Sequence, residues 1–298
     1  MKNNDKVAFS TDNKPPIDTA RPGLPPWEIT GALADFTPMV PTRLFDRFYY
    51  VGTRSVGAYI ADTTNGLVMI DTGWGEKDCS QFVTDMKKLG LDPRKIEIIL
   101  LTHEHIDHYG GVQYLKSKVC PGSEVALSLL GWNYMMTRPV EAGFAGPRPK
   151  LIDIFLADGD EIKLGQTTIQ VVATPGHTPG CMSFIIPVTD DGQPHTVGIM
   201  GGVAVPLNWN EAFLYYCSID YFRQFARRFG CDIGLGTHSS YLEEDMKAVR
   251  SRKNFEPNPL IIGAERFESE YLQRYTDQFM ATVKRLPPET PVVSSLKK

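Results

Sequence analysis

The segment from residue 103 to 108 concentrates side chains that bind transition metals. It reads His-Glu-His-Ile-Asp-His and holds half of the six histidines in the 298-residue chain. Imidazole and carboxylate are the ligand set of zinc, and iron and manganese also use it. His103 and His105 alternate and can point in one direction, whereas Asp107 and His108 at the turn can reach a neighbouring point. Because scattered surface histidines would not gather in this way, the cluster predicts a metal site.

Two further histidines follow predicted strands elsewhere in the chain. His177 lies in Thr-Pro-Gly-His-Thr-Pro-Gly, where two Pro-Gly turns stiffen the backbone around it. His238 follows a predicted strand over 231–235. The remaining histidine, His195, lies in the polar segment Asp-Asp-Gly-Gln-Pro-His-Thr, which predicts a solvent-exposed hairpin turn. We therefore expect His177 and His238 to complete the metal site.

The elements before the cluster predict a sheet that presents it at one edge. FYYVG, VGAYIAD and GLVMID are rich in β-branched and aromatic residues and predict antiparallel strands, the last two joined by a turn at Asn65-Gly66. A helix over 78–89 ends at Gly90, and the apolar run 96–101 predicts a buried strand parallel to its neighbour. The cluster directly follows that strand, at the carboxyl end where open α/β sheets bind ligands.

The rest of the chain repeats this pattern loosely. Two β-rich halves, each followed by helices, predict an α/β fold with two sheets packed face to face and helices outside, an αβ/βα four-layer sandwich. The remaining predicted elements are helices over 112–118, 129–136, 219–229, 242–250 and 265–286, and strands over 124–127, 161–164, 167–173, 182–188, 196–200 and 231–235.

Two segments fall outside this pattern. Residues 1–30 are rich in Pro, Asn, Asp and Thr without periodicity and predict an extended N-terminal arm. Residues 138–150 contain three prolines and two glycines and predict a loop, with Phe144 at its tip in a position to cover a site. Residues 31–298 are expected to form a single catalytic domain.

The composition argues against nucleic acid and membranes as binding partners. Hydrophobic residues make up 42% and charged residues 22% of the chain, as in ordinary globular proteins. The net charge of -4 argues against binding to nucleic acid. No apolar run has the length of a membrane span or forms the core of a secretory signal, and the five cysteines are odd in number without CxxC spacing. We expect a cytoplasmic protein with a small-molecule substrate and no membrane partner; nothing in the sequence specifies an oligomeric state.

HEHIDH followed by TPGHTPG resembles the metallo-β-lactamase superfamily, whose fold is the four-layer sandwich. FYYVGTRSVGAYIAD, GLVMIDTG and IDYFRQFARRFGCDIGLGTH are similar to the lactamase subclass that binds both zinc ions through His and Asp only. The similarity spans about residues 43–286. The resemblance implies that Asp71 orients metal ligands. It also implies a first zinc bound by His103, His105 and His177, and a second bound by Asp107, His108 and His238.

The chain departs from the family pattern after the strand at 196–200. Many hydrolytic members carry a bridging aspartate there, which the His/Asp-only lactamases lack and which this chain replaces by Met200-Gly201-Gly202. Those lactamases usually present two serines that hold the substrate carboxylate, whereas this chain has Gly202 and Ala204. The missing secretory signal, and Cys231 without the disulfide partner that some relatives have near the chain's end, also argue against a β-lactamase.

The resemblance implies hydrolysis by a hydroxide shared between two zinc ions, which Asp107 would orient; iron and manganese are the alternative metals. Three functions stay open: a hydrolase of an amide, lactone or ester that is expected to be cyclic, a true β-lactamase, and a metal-binding regulatory protein without turnover. The candidates for substrate contacts are the aromatic residues Trp74, Tyr109, Phe144, Trp209 and Tyr215.

Overall fold

Twelve strands form two sheets in the computed structural model, which describes residues 35–137, 148–238, 240–253 and 256–286. Neighbouring strands in each sheet are also consecutive in the chain. The first sheet contains β1 (Thr42–Phe45), β2 (Phe48–Gly52), β3 (Gly57–Asp62), β4 (Leu67–Ile70), β5 (Ile96–Leu100), β6 (Glu124–Ser128) and β7 (Ile154–Leu156). The second sheet contains β8 (Glu161–Leu164), β9 (Thr167–Ala173), β10 (Met182–Asp190), β11 (Gln193–Met200) and β12 (Ile233–Gly236).

Both sheets are mixed. Strands β1 to β4 pair antiparallel and β4 to β7 pair parallel. In the second sheet, β8 to β11 pair antiparallel, and β11 pairs parallel with β12. Parallel neighbours need a long crossover connection, and helices supply most of them here. The carboxyl ends of β4, β5 and β6 therefore lie at the same edge of the first sheet.

Most helices pack on the outer faces of the two sheets; the helix Glu243–Ser251 instead contributes Met246 to the core between the sheets. Those that follow strands of the first sheet are α1 (Glu76–Lys88), α2 (Ile106–Tyr109), α3 (Val112–Tyr114, continued by the π-helical turn Leu115–Val119) and α4 (Leu129–Thr137). Those that follow strands of the second sheet are α5 (Trp209–Phe229), α6 (Glu243–Ser251), α7 (Gly263–Arg266, continued by the π-helical turn Phe267–Leu272) and α8 (Gln273–Val283). Short 3-10 turns cover Pro93–Lys95 and Ser240–Leu242.

Three apolar cores correspond to the three interfaces between four layers. The central core joins the facing sides of the two sheets, with Tyr59 and Phe184 fully or almost fully buried. A second core packs Phe82 of α1 against the outer face of the first sheet, and a third packs Phe222 of α5 against the second sheet. The predicted αβ/βα sandwich is confirmed. No helix among the described residues is both long and apolar enough to cross a bilayer.

Two local predictions were wrong, and two strands were not predicted. Helix α5 begins at Trp209 rather than at Ile219, because the Asn208 side chain accepts hydrogen bonds from the N–H groups of the first turn. The short edge strands β1 and β7 were not predicted. His195 lies within β11 and not in an exposed turn: its ring pairs with Asp232, and its side chain is only 21% exposed. The predicted N-terminal arm over 1–30 lies outside the described residues.

Candidate metal centre

The predicted metal-binding residues meet at one edge of the sandwich. Strand β5 ends at Leu100, and the segment from His103 to His108 runs from the following loop into helix α2. His177 lies in the loop between β9 and β10, and His238 lies two residues after β12. Each of these segments follows the carboxyl end of a strand, so the two sheets bring distant parts of the chain to one place.

His103, His105 and His177 form the first group. Nδ1 of His105 lies 3.2 Å from Nε2 of His103 and 3.1 Å from Nε2 of His177, and the three ligand atoms all lie within 4.8 Å of one another. Burial lowers the pKa of His103 and His105 well below the usual range and lowers that of His177 to about 4. The rings are therefore neutral at pH 7, which is the form that binds metals.

Asp107, His108 and His238 form the second group. Oδ2 of Asp107 lies 3.3 Å from Nε2 of His108 and 3.5 Å from Nε2 of His238. Burial alone would lower the pKa of His108, but the carboxylates of Asp107 and Asp71 outweigh it and raise the pKa to about 10. Apart from this Asp107 oxygen, the buried Nε2 of His108 has no partner within the described part of the chain. The two carboxylates favour a positive charge at this ring, and a metal cation that displaces the proton from Nε2 would supply that charge, so this atom fits a metal ligand.

Asp71 links one ligand of each group. Its carboxylate lies 2.8 Å from Nδ1 of His108 and accepts hydrogen bonds from the N–H and the hydroxyl of Thr102. Because the Thr102 hydroxyl donates to Asp71, it accepts from Nδ1 of His103, 3.0 Å away. Both rings are thereby oriented with Nε2 toward the metal side. The backbone of Asp71 has φ +61°, a left-handed conformation that Asp tolerates better than most residues.

Backbone carbonyls orient two of the other rings. Nδ1 of His177 donates to the carbonyl of Ala204, and Nδ1 of His238 donates to the carbonyl of Ser55, each over 2.8 Å. A carbonyl only accepts hydrogen bonds, so the proton must sit on Nδ1 and Nε2 is left for a metal. His105 differs, because its Nδ1 faces the first group.

Gly202 packs directly against His177, one of the predicted ligands. A Cβ atom at position 202 would lie 2.3 Å from Cβ of His177 and 2.7 Å from its Cγ, well inside van der Waals contact. The Gly202 carbonyl accepts a hydrogen bond of 2.9 Å from the hydroxyl of Tyr215. Position 202, one of the two places where the lactamase subclass usually carries a serine, therefore lies here too close to His177 for a side chain.

The residues predicted to contact the substrate differ in how exposed they are. Trp74 and Tyr109 are 3% and 5% exposed and pack in the interior, and Tyr215 has no exposed surface. Tyr215 cannot contact a substrate in this conformation, so that expectation is corrected: the residue supports the segment behind His177. Trp209 is 37% exposed at the start of α5. Phe144 lies outside the described residues.

Residues beyond the predicted set also belong to this site. Thr102 hydrogen-bonds Asp71 and His103, and its position directly before the motif was a signal that sequence reasoning missed. The carbonyls of Ser55 and Ala204 carry no such signal, because every residue has a carbonyl group. Chemically, the site offers two neighbouring sets of three ligands, with donor types that suit zinc.

This chain combines a four-layer α/β fold with two neighbouring groups of His and Asp side chains at its strand ends. Together, these features indicate a metal-dependent α/β protein. The family model of the metallo-beta-lactamase superfamily matches residues 51–191. BJP-1, a subclass B3 metallo-beta-lactamase of Bradyrhizobium japonicum, superposes with a TM-score of 0.69 at 26% identity, covering 85% of this chain and 98% of that one. The matched region and the superposition confirm the resemblance of this chain to the metallo-β-lactamase superfamily that its motifs indicate.

Curated relatives are similar over shorter regions. A probable metallo-hydrolase of Burkholderia pseudomallei is 33% identical over 112 residues, which cover 36% of this chain and 35% of that protein. Acyl-coenzyme A thioesterase MBLAC2 of Gallus gallus is 30% identical over 152 residues, which cover 45% of this chain and 54% of that protein. The chain thus spans about a third to a half of the length of these relatives.

Proposed function

We propose that this protein is a dizinc hydrolase that cleaves a small-molecule amide, lactone or ester, with a cyclic substrate preferred. The observation that carries the proposal is the pair of neighbouring groups, three imidazoles in one and two imidazoles with a carboxylate in the other. Structural zinc sites are closed by four protein ligands, whereas catalytic sites use three and keep one position open. Each group here supplies three ligands, which favours catalysis over a purely structural role.

Bound zinc would lower the pKa of a water molecule to about 7 and would polarise the substrate carbonyl. The chain's own residues hold and orient these components. Burial would raise the pKa of Asp107, but His108 and His238 outweigh it and hold the pKa well below the usual range, so the carboxylate stays ionised. An ionised oxygen at this position accepts a hydrogen bond from the attacking water and directs it. The sequence holds no Gly-x-Ser-x-Gly motif that would supply a serine nucleophile.

The proposal is tested by metal content and turnover together. Elemental mass spectrometry of purified protein should find close to two zinc ions per chain, with a clear loss in His105→Ala. His195→Ala is the matched control, because this histidine lies in β11 and pairs with Asp232 instead of joining either group. Lactone, ester and thioester substrates should be hydrolysed by the wild type, and activity should disappear with chelator and return with zinc. One iron ion per chain, or no metal, would overturn the proposal.

A second candidate is a true β-lactamase. The likeness to BJP-1 favours it, since the match covers 98% of that lactamase. Gly202 opposes it, because the position that would carry a serine for the substrate carboxylate has no room for a side chain. Hydrolysis of a chromogenic cephalosporin at enzyme-like rates would select this candidate. Two bound metals without hydrolysis of any substrate would instead select a non-catalytic metal-binding protein.

A further inference from the structure

Glu104 lies between two metal-binding histidines in the chain but contacts a different loop. Glu104 is buried, with only 5% of its surface exposed. One carboxylate oxygen accepts a hydrogen bond of 2.9 Å from the hydroxyl of Thr178, and the other accepts one of 3.3 Å from the N–H of Gly180. Thr178 directly follows His177 in the chain, and Gly180 lies two residues further on. Glu104 therefore connects the segment of His103 and His105 to the loop of His177.

The same contact includes the start of helix α4. The hydroxyl of Ser128 donates to the carbonyl of Gly180 over 2.8 Å, and the N–H of Gly131 donates to that hydroxyl over 2.9 Å. A Cβ atom at Gly180 would lie 2.3 Å from Cα of Gly131 and 2.6 Å from a carboxylate oxygen of Glu104. The loop, the helix and the carboxylate are thus packed without space for another side chain.

We propose that Glu104 is a positioning residue for the first metal group: its carboxylate holds the loop of His177 at the distance from His103 and His105 that one metal ion requires. Zinc–nitrogen bonds are about 2.0–2.1 Å long, with a tolerance of about 0.2 Å. His177 lies 72 residues after His105 in the chain, so its loop must be fixed in position by contacts with the segment of His105 if both are to bind one ion. The proposal rests on the proposed function, since the first group would hold one of its two metals.

Two substitutions separate positioning from a chemical role of the charge. In Glu104→Gln the amide oxygen can accept from Gly180, and the amide nitrogen can donate to the Thr178 hydroxyl, which rotates to accept. The loop contact is then kept and the negative charge is lost. Glu104→Ala removes both. If Glu104 acts by positioning the loop, Glu104→Gln should retain the affinity for zinc and Glu104→Ala should lose it. If the negative charge itself is required, both variants should lose affinity.

The experiment measures zinc affinity by chelator competition and zinc per chain by elemental mass spectrometry, with thermal unfolding of the metal-free proteins as the folding control. Glu104→Ala should lower the affinity for one of the two zinc ions by roughly 10–100-fold, the usual effect of losing a residue that supports ligands. Glu104→Gln should stay within about threefold of the wild type. Adding Glu104→Ala to His177→Ala should cause no further loss, because both changes act on the same ligand.

Thr178→Val removes the same hydrogen bond from the other side and keeps the shape of the side chain. It should weaken the same zinc ion by a smaller factor than Glu104→Ala, because the Gly180 contact remains. This variant tests the proposal even where Glu104→Ala does not fold. Two zinc ions in the wild type with unchanged affinities in Glu104→Ala or Thr178→Val would overturn this proposal alone. A wild type that binds no zinc would overturn the proposed function and this proposal together.

Discussion

Replacing Gly202 by serine tests how closely the chain follows the lactamase pattern. By family resemblance, the substitution would restore a residue that holds the substrate carboxylate. The structure predicts the opposite result, because a Cβ atom at this position would lie 2.3 Å from Cβ of His177. Carbon atoms in contact normally lie about 3.5–4.0 Å apart, so one of the two groups must move by at least about 1.2 Å.

The backbone of residue 202 has little freedom to make that movement. Its carbonyl is held by the buried hydroxyl of Tyr215, and the carbonyl of Ala204 receives the His177 ring. His177 must therefore take up most of the shift, which is several times the tolerance of about 0.2 Å for a metal ligand. We expect zinc affinity at the first group to fall by at least 10–100-fold and the free energy of unfolding to fall by about 1–3 kcal/mol through overpacking.

The assay compares Gly202→Ser, Gly202→Ala and Ala204→Ser with the wild type by chelator competition and cephalosporin hydrolysis. Ala204→Ser is the matched control, because it adds the same hydroxyl at a partly exposed position and keeps the carbonyl that His177 uses. Both changes at position 202 should lose one zinc ion, whereas the control should keep both. If Gly202→Ser kept both zinc ions and gained cephalosporin turnover, the steric argument would be refuted.

Three further predictions concern the surroundings of the site. Asp71→Asn should lower zinc affinity by roughly 10–100-fold in chelator competition, because an amide N–H in place of an oxygen opposes the N–H of His108 or Thr102. Tyr215→Phe should lower the free energy of unfolding by about 1 kcal/mol and leave KM unchanged, since the hydroxyl is buried away from substrate. Burial raises the pKa of Asp78 to about 6, outweighing hydrogen bonds from nearby N–H groups. The folded state then holds this proton more tightly than the unfolded one, so stability is lost as the pH rises from about 4 to about 6, by about 3 kcal/mol. Urea unfolding across this pH range should show the loss in the wild type and not in Asp78→Asn.

Most elements of the fold were predictable because their residues carry a local signal. Strands β2 to β6 are apolar and β-branched, and helix α1 has apolar spacing with Gly90 at its end. The start of α5 was missed because its first turns expose apolar residues such as Phe213 and Leu214, which obscure the amphipathic pattern. Strand β7 has only three residues, and β1 (Thr-Arg-Leu-Phe) shows no alternation of polar and apolar residues, so neither carries a recognisable pattern.

In the candidate site, the predicted metal ligands could be found from the sequence, whereas most of the groups that orient them could not. Histidines at strand ends could be assigned from residue type and position, and the structure brings all of the predicted ligands together. The supporting contacts come from tertiary proximity: Ser55 and Ala204 act through carbonyls that any residue would supply. Glu104 sits in the motif itself, yet nothing in the sequence shows that its partners follow His177. Sequence patterns therefore identify which atoms can bind a metal, whereas the distances that let three of them share one ion depend on contacts between loops that only the folded chain displays.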